Sequence, residues 1–370
     1  MKTKVKFFDY PIQFREHEEE YTKIFKEVCG KGSFILGEEV GRFEEEFAAF
    51  IGTKHAIGVG NCTDGLLISL HAAGIGAGDE VISVSHTFVA TIEVIQFLGA
   101  KPVFADIVSD HNMDVDMVEE LITPKTKAIV PVHLNGRICT KMDKLVEIAS
   151  EHGLLIIEDA APAIGATYKG RGAGTFGLAG CFSFYPAKLL GTFGDAGAIV
   201  TDDDDLAARL GIMRNHSRGE RGEVKFWGQN SRMDNLHAAI LSFKLSHLEG
   251  LIERRRAIAS QYEEGLAGID DLRLPPPPRE DNHHYDVFQN YEIEAEERDK
   301  LIEHLSQKGI EVALPWGGKA VHQFEALGFG SVELPRTEEL FRKAIMLPIY
   351  PSLRDEQLEY AIMKIRHFYE

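Results

Sequence analysis

Short apolar runs that alternate with helical patterns constrain the fold of this chain more than any other feature. The early runs are separated by segments in which apolar residues recur at helical spacing. Parallel strands need long crossover connections, usually helices, so this alternation predicts a mostly parallel sheet with helices on both faces. The predicted strands are residues 55–60, 80–84, 102–106, 128–132, 154–159, 180–184 and 197–201.

The last two runs depart from this alternation. Gly-rich turns, and no helical pattern, separate residues 180–184 from 197–201, so an antiparallel strand is expected to enter the sheet there. We therefore predict a three-layer α/β/α fold around a mostly parallel, seven-stranded sheet.

A smaller second domain is predicted after the sheet. Residues 234–265 carry one long helical pattern, and the four prolines at 275–278 follow it. Strand-like and helix-like segments come next, and a last helix is predicted over 355–369. The predicted division is a large domain with an N-terminal arm over 1–249 and a small C-terminal α+β domain over 250–370.

Composition excludes several classes of function. Lys and Arg total 40 against 58 Asp and Glu, and a net charge of −18 makes the chain a poor partner for nucleic acid or an anionic membrane. No apolar run reaches the roughly 20 residues that span a bilayer. The four cysteines have no CxxC spacing, and no Cys/His set has ligand spacing, so we expect a reduced cytoplasmic protein without a metal site.

Candidate site residues follow the predicted strands, because ligands of open α/β sheets bind beyond the carboxyl ends of the strands. A Gly-rich turn at 58–65 leads into a helix, where free N–H groups and the helix dipole suit a phosphate. The same turn is equally an ordinary connection capped by Thr63 or Asp64. Asp159 ends a strand, where a carboxylate binds a metal, a ribose or a protonated ring nitrogen, or caps a helix.

Lys188 follows the sixth predicted strand. A lysine among apolar neighbours has a lowered pKa, and its neutral amine can form a Schiff base; alternatively it extends to solvent from a strand end. Ser183 on that strand could donate to a phosphate, and Phe88 is either core packing or a stacking face for a flat ring. Together these features supply what pyridoxal phosphate requires: a phosphate cradle, an aromatic face, a carboxylate for the ring nitrogen and an amine.

Along nearly its whole length the chain resembles the DegT/DnrJ/EryC1/StrS sugar aminotransferases, which are fold-type-I (aspartate aminotransferase-like) pyridoxal-phosphate enzymes. The strongest stretch is Phe182-Ser-Phe-Tyr-Pro-Ala-Lys-Leu-Leu-Gly191. The other motifs that carry the resemblance are residues 32–37, 43–44, 59–64, 87–90, 129–136, 157–161, 194–197, 214–216 and 228–234.

The resemblance implies a role for each cofactor-binding residue. Lys188 would bind the cofactor covalently and later transfer the proton, and Asp159 would pair with the pyridinium nitrogen. Phe88 would cover one face of the ring. The phosphate would be held by the backbone of Cys62 and Thr63, the Ser183 hydroxyl and, from the other subunit, Asn230.

The resemblance also implies partners. It implies a homodimer with shared active sites, glutamate as amino donor and a nucleotide-linked keto-sugar as acceptor. The residues expected to contact the substrate are His322, Trp316, Arg214 and Tyr185.

Two departures from the family pattern concern the site. Pro162 stands where the family usually has a Gln that contacts the ring hydroxyl of the cofactor, and proline has no donor to replace it. Residues 312–318, which include Trp316, stand where members often carry His-Tyr-Pro lining the sugar site, whereas His322 matches the pattern nearby. Cofactor chemistry is therefore expected to be intact and acceptor recognition unusual.

Several alternatives stay open. The acceptor could be a keto-sugar acid without a nucleotide, which would need a cation such as Arg214, Arg218 or Lys319. The same scaffold also supports dehydration or lysis, and a non-catalytic protein could retain the fold. Family members that dehydrate sugars replace the lysine with His, so keeping Lys188 favours transamination.

Overall fold

The computed structural model describes residues 4–219, 221–278 and 283–370; the two predicted domains are therefore described without residues 1–3, Glu220 and 279–282. The helices are α1 (Tyr10–Arg15), α2 (Glu18–Lys31), α3 (Glu38–Ile51), α4 (Cys62–Ala72), α5 (Val89–Phe97), α6 (Met142–His152), α7 (Asp204–Met213), α8 (Asn235–Leu245), α9 (Leu248–Leu266), α10 (Arg298–Gln307), α11 (Pro335–Lys343) and α12 (Asp355–Tyr369). The strands are β1 (His55–Val59), β2 (Glu80–Val84), β3 (Lys101–Ala105), β4 (Thr126–Ile129), β5 (Leu155–Asp159), β6 (Thr167–Tyr168), β7 (Arg171–Gly172), β8 (Ala179–Ser183), β9 (Gly197–Thr201), β10 (Leu272–Arg273), β11 (His284–Tyr285), β12 (Tyr291–Ala295) and β13 (Ala344–Leu347).

The central sheet has seven strands in the order β1-β9-β8-β5-β4-β2-β3. Strands β3, β2, β4, β5 and β8 run parallel. Strand β9 is antiparallel to both of its neighbours, β1 and β8. The predicted fold class is confirmed, including the antiparallel strand that follows the sixth run.

Alternation along each strand separates the two faces of the sheet. On β2, Val81 packs into the core beneath α4, α5 and α7, whereas Ile82 and Val84 pack into the core beneath α3, α6 and α8. Both faces are therefore covered, which explains why the strands read as continuous apolar runs.

The predicted single helix over 234–265 is wrong, because α8 and α9 are separate helices that meet at Ser246 and His247. The Ser246 hydroxyl donates to the Phe243 carbonyl at 2.7 Å, and His247 N–H donates to the Lys244 carbonyl at 3.1 Å. These bonds reach back three residues, so the last turn of α8 tightens and the helix ends. The apolar periodicity continues across the break and conceals it.

A separate core forms in the C-terminal part of the chain. A three-stranded sheet, β10-β12-β13, packs with α9, α10 and α12 around Tyr262, Tyr291 and Leu358. Helix α9 contributes Ile252 to the large core and Ile258 to this smaller one. The helix therefore passes from one core to the other between these two residues. The predicted boundary at 249/250 lies at its first turn and stays a prediction. Among the described residues, no helix has both the length and the apolar character that crossing a bilayer requires.

Candidate active site

The candidate residues meet at one edge of the central sheet. Asp159 is the last residue of β5 and Ser183 the last of β8. Gly197, the first residue of β9, pairs with Ser183 on one side and with Val59, the last residue of β1, on the other. The ends of four strands and the start of α4 therefore surround one space, as expected for the carboxyl edge of an open α/β sheet.

The N-terminus of α4 forms an anion cradle. The Asn61 side chain accepts the Asp64 N–H at 2.8 Å, whereas the N–H groups of Cys62 and Thr63 have no partner among the described residues. A Cβ on Gly197 would lie 2.7 Å from the Cys62 nitrogen, so only glycine lets β9 pass this close to the helix. Two unpaired donors at a helix N-terminus suit a phosphate.

The Asp159 carboxylate is held at both oxygens. The Thr91 hydroxyl donates to Oδ2 at 2.7 Å, and the Ala161 N–H donates to Oδ1 at 3.1 Å. The side chain is buried, yet each oxygen keeps a further lone pair. This carboxylate can therefore accept a hydrogen bond from a protonated ring nitrogen.

The Lys188 amine has no hydrogen bond or ion pair within the described ranges. Burial lowers the pKa of Lys188 below its usual value, although the charge of Asp159 opposes that shift. Gln289 fixes the backbone around the lysine: its Oε1 accepts the Leu189 N–H at 2.8 Å and its Nε2 donates to the Ala187 carbonyl at 2.9 Å. Lys188 is thus an unpaired, partly desolvated amine on a fixed loop, as a nucleophile requires.

An aromatic face completes this side of the site. Phe88 precedes α5 and stays 57% exposed, which is unusual for a phenylalanine beside a core of this size. Its ring lies 5.8 Å from that of Trp316, in a tilted arrangement. The residues present therefore fit pyridoxal phosphate: an anion cradle, an exposed aromatic face, a carboxylate and a free amine.

His322 and Trp316 form the other wall. The His322 N–H donates to the Ser85 hydroxyl at 2.9 Å, and that hydroxyl lies 2.7 Å from Nδ1 of the same residue. Burial lowers the pKa of His322 despite Glu338, which favours the neutral imidazole. The Trp316 indole N–H is buried without a partner among the described residues, and its backbone has φ of 50°. A bulky residue in that conformation is strained.

Arg214 does not reach this wall. Its guanidinium pairs with Glu44 and donates to the Gly58 carbonyl at 2.6 Å. Glu44 also accepts the Gly58 N–H at 2.7 Å, so the pair ties α3 to β1. These contacts engage the Arg214 guanidinium within the protein, and its role at the acceptor stays a prediction.

The remaining predicted residues lie at the surface. Tyr185 is half exposed, and burial together with this tyrosine raises the pKa of Tyr10 on α1. Asn230 is exposed, and its neighbour Ser231 accepts the Gly60 N–H at 3.0 Å, beside the Gly-rich turn. Arg218 and Lys319 are exposed as well.

The sequence does not identify two residues that hold the site in place, Thr91 and Gln289. Thr91 lies one helical turn after Thr87 and points to Asp159, a contact that its spacing alone does not reveal. Gln289 is about a hundred residues from Lys188, and no local pattern marks it. Pro162, which is buried, offers no donor, as its sequence position implies.

Comparison with known proteins agrees with this geometry. Residues 15–366 match the DegT/DnrJ/EryC1/StrS aminotransferase family. The "pleiotropic regulatory protein" of Geobacillus stearothermophilus is 41% identical, over 99% of this chain and 98% of that protein. The dTDP-3-amino-3,4,6-trideoxy-alpha-D-glucose transaminase of Streptomyces venezuelae is 40% identical, over 99% and 97%. The crystal structure of S. venezuelae DesV, in complex with a ketimine intermediate, superposes with a TM-score of 0.94 at 39% identity, covering 100% of this chain and 99% of that one.

Proposed function

The chain belongs to the DegT/DnrJ/EryC1/StrS aminotransferase family, and we propose that it transfers an amino group from glutamate to a nucleotide-linked keto-sugar. It is a pyridoxal-phosphate-dependent sugar aminotransferase, which agrees with the transaminase of S. venezuelae and with two similar structures that hold the PMP form of the cofactor. The observation that carries the proposal is the unpaired Lys188 amine, which shares one sheet edge with Asp159 and the α4 cradle.

Each side chain has one task in this reaction. Bound pyridoxal phosphate supplies an electron sink for the carbon that loses a proton. The N–H groups of Cys62 and Thr63 would hold the phosphate, and the Asp159 carboxylate would accept an ionic hydrogen bond that favours the protonated ring nitrogen. Burial lowers the pKa of Lys188, so its amine would be the nucleophile that holds the cofactor and the group that later carries the proton. Phe88 covers one ring face and excludes water.

A nucleotide-linked acceptor is favoured by relatives that act on such sugars, including the transaminase of S. venezuelae. The test is a panel of keto-sugars linked to dTDP or UDP, scored by glutamate-dependent amine formation. Amine formation with a nucleotide-linked member supports the proposal. Formation only with amino donors other than glutamate, or only with free sugars, contradicts it.

A keto-sugar acid is the second candidate acceptor. The ammonium group of Lys319, three residues after Trp316, is exposed and has no ion pair within the described part of the chain. With Arg214 paired to Glu44, Lys319 is the candidate cation nearest to Trp316 along the chain. Uronic acid members of the panel distinguish the candidates: Lys319→Met should weaken an acid acceptor and leave a neutral one unchanged.

We also propose a homodimer in the cytoplasm, in which Asn230 completes the phosphate site of the partner. Exposed apolar side chains adjoin this motif: Trp227 is 88% exposed and Val224 is 65% exposed. A helix-capping role for Asn230 is the alternative. The four cysteines are free thiols, which suits a reducing compartment.

Mixed subunits test the shared site. Lys188→Ala and Asn230→Ala proteins, each poorly active alone, are combined and exchanged. If Asn230 serves the partner, a heterodimer has one intact site and activity partly returns. No recovery after confirmed exchange contradicts the shared site.

A further inference from the structure

Residues 85–88, which lie between β2 and α5, each contact a different side chain. Ser85 bonds His322, and Phe88 faces Trp316. His86 is fully buried and its Nε2 lies 3.5 Å from a carboxylate oxygen of Glu292 on β12. Thr87 is hydrogen-bonded to the Thr91 hydroxyl at 2.8 Å. The segment is therefore held at His86 by a strand of the smaller core. At its other end it leads into α5, where Thr91 bonds Asp159.

The two threonine hydroxyls and Asp159 form a directed chain. An ionised carboxylate only accepts, so Thr91 donates its hydrogen to Asp159 Oδ2, at 2.7 Å. The Thr91 oxygen must then accept the hydrogen of Thr87, at 2.8 Å. Both threonines are 1% exposed, so water cannot substitute for either bond.

This arrangement differs from that of an ordinary helical threonine. A threonine near the start of a helix commonly bonds its own backbone, three or four residues back. The Thr91 hydroxyl instead bonds two side chains, one of them 68 positions away. This bond satisfies no backbone group of α5. It fixes the position of the Asp159 side chain instead.

We propose that Thr91 is a positioning residue for Asp159, and that Thr87 sets the direction of the Thr91 hydroxyl. The Thr91 hydroxyl holds Oδ2 of the carboxylate, while the Ala161 N–H holds Oδ1. The remaining lone pairs would then be available to accept a hydrogen bond from the ring nitrogen of the cofactor. The inference rests on the proposed role of Asp159.

Valine tests the hydroxyl with little change of shape, and serine restores it. In Thr91→Val we expect apoenzyme to bind pyridoxal phosphate about 10-fold more weakly, because a hydrogen bond to a charged group is lost. The absorbance of the bound cofactor should titrate at a shifted pH. Thr91→Ser should recover most of the affinity and the wild-type titration. Thr87→Val should act in the same direction by about 3-fold, because the Thr91 hydroxyl keeps its acceptor.

Thr201→Val is the matched control. Thr201 is also buried and donates to the Leu178 carbonyl at 2.7 Å, but it lies at the opposite end of β9 from Gly197. It should lose similar stability with unchanged cofactor affinity and titration. Unchanged affinity and titration in Thr91→Val would overturn the inference, as would an equal effect in Thr201→Val.

A double-mutant cycle separates this inference from the role of Asp159. If Thr91 acts through Asp159, Thr91→Val changes cofactor affinity little in an Asp159→Asn background. Full additivity contradicts the inference and leaves the aminotransferase proposal intact. If Asp159→Asn alone leaves affinity and titration unchanged, the role of Asp159 itself is wrong.

Discussion

The two walls of the site are built in different ways. The cofactor side (Cys62, Thr63, Asp159, Ser183 and Lys188) lies on strand ends and a helix start of one sheet. The acceptor side (Trp316 and His322) lies on turns of the C-terminal part, and its indole N–H is unpaired within the described residues. The contrast indicates that the cofactor groups are built into the sheet, whereas the candidate acceptor groups come from the part of the chain whose smaller core has to be attached to the sheet.

That attachment is a buried cluster of charges. His111, which follows β3, donates to Glu292 at 2.6 Å and to Glu294 at 3.2 Å, both on β12. Arg336 on α11 also pairs with Glu294. Arg273 also lies 3.7 Å from Glu294, so several cationic side chains offset the two buried carboxylates.

The largest effect is expected on the cofactor side, from Lys188→Ala. Turnover should be abolished and the violet-edge absorbance of the covalently bound cofactor lost, while cofactor still binds through its phosphate. Borohydride trapping and peptide mapping check the assignment. Lys244, whose pKa burial lowers to about 8, is the natural comparison, and a label on Lys244 or Lys169 refutes Lys188.

Asp159→Asn should come next, with turnover lowered by ~10²-fold, or roughly 2.7 kcal/mol of barrier. The amide keeps the shape but removes the charge that holds the ring nitrogen protonated. Single-turnover kinetics with glutamate measure the loss. Asp203→Asn, at the cap of α7, is the control; turnover close to wild type in Asp159→Asn would end this role.

A smaller effect, in stability, is expected where the smaller core is attached. The two glutamates raise the pKa of His111 to about 9 against the cost of burial. A raised pKa in the folded state stabilises the protein fully below about pH 6.5, and that contribution is lost as pH rises through about 9. We expect a loss on the order of 2 kcal/mol across this window. Urea unfolding of wild type and His111→Gln measures it; equal pH slopes in the two proteins contradict it.

The smallest effect is expected on the acceptor side, from Trp316→Phe. This change removes the indole N–H and keeps an aromatic ring, so KM for the acceptor should rise about 5-fold, the worth of one hydrogen bond. The half-reaction with glutamate is the internal control and should stay unchanged. A loss in both half-reactions would place Trp316 on the cofactor side.

Much of the fold could be predicted because its signals are local. All seven strands of the sheet appear where the apolar runs predict them, and α12 has the predicted bounds. The helix over 234–265 could not be divided correctly, since the break depends on bonds of Ser246 and His247 that leave the apolar period unchanged.

The sequence by itself determined the sheet and the set of chemical groups at its edge, because strand periodicity and the residues at strand ends are properties of short segments. Only the tertiary structure decided which of those groups stay free. Arg214 reads as a substrate cation in the sequence, yet Glu44, 170 positions away, pairs with it. The Lys188 loop is fixed by Gln289, and Asp159 by Thr91. Partners so distant along the chain meet only when the elements pack, and burial makes those partnerships decisive, because an unpaired polar group there has no water to replace its partner.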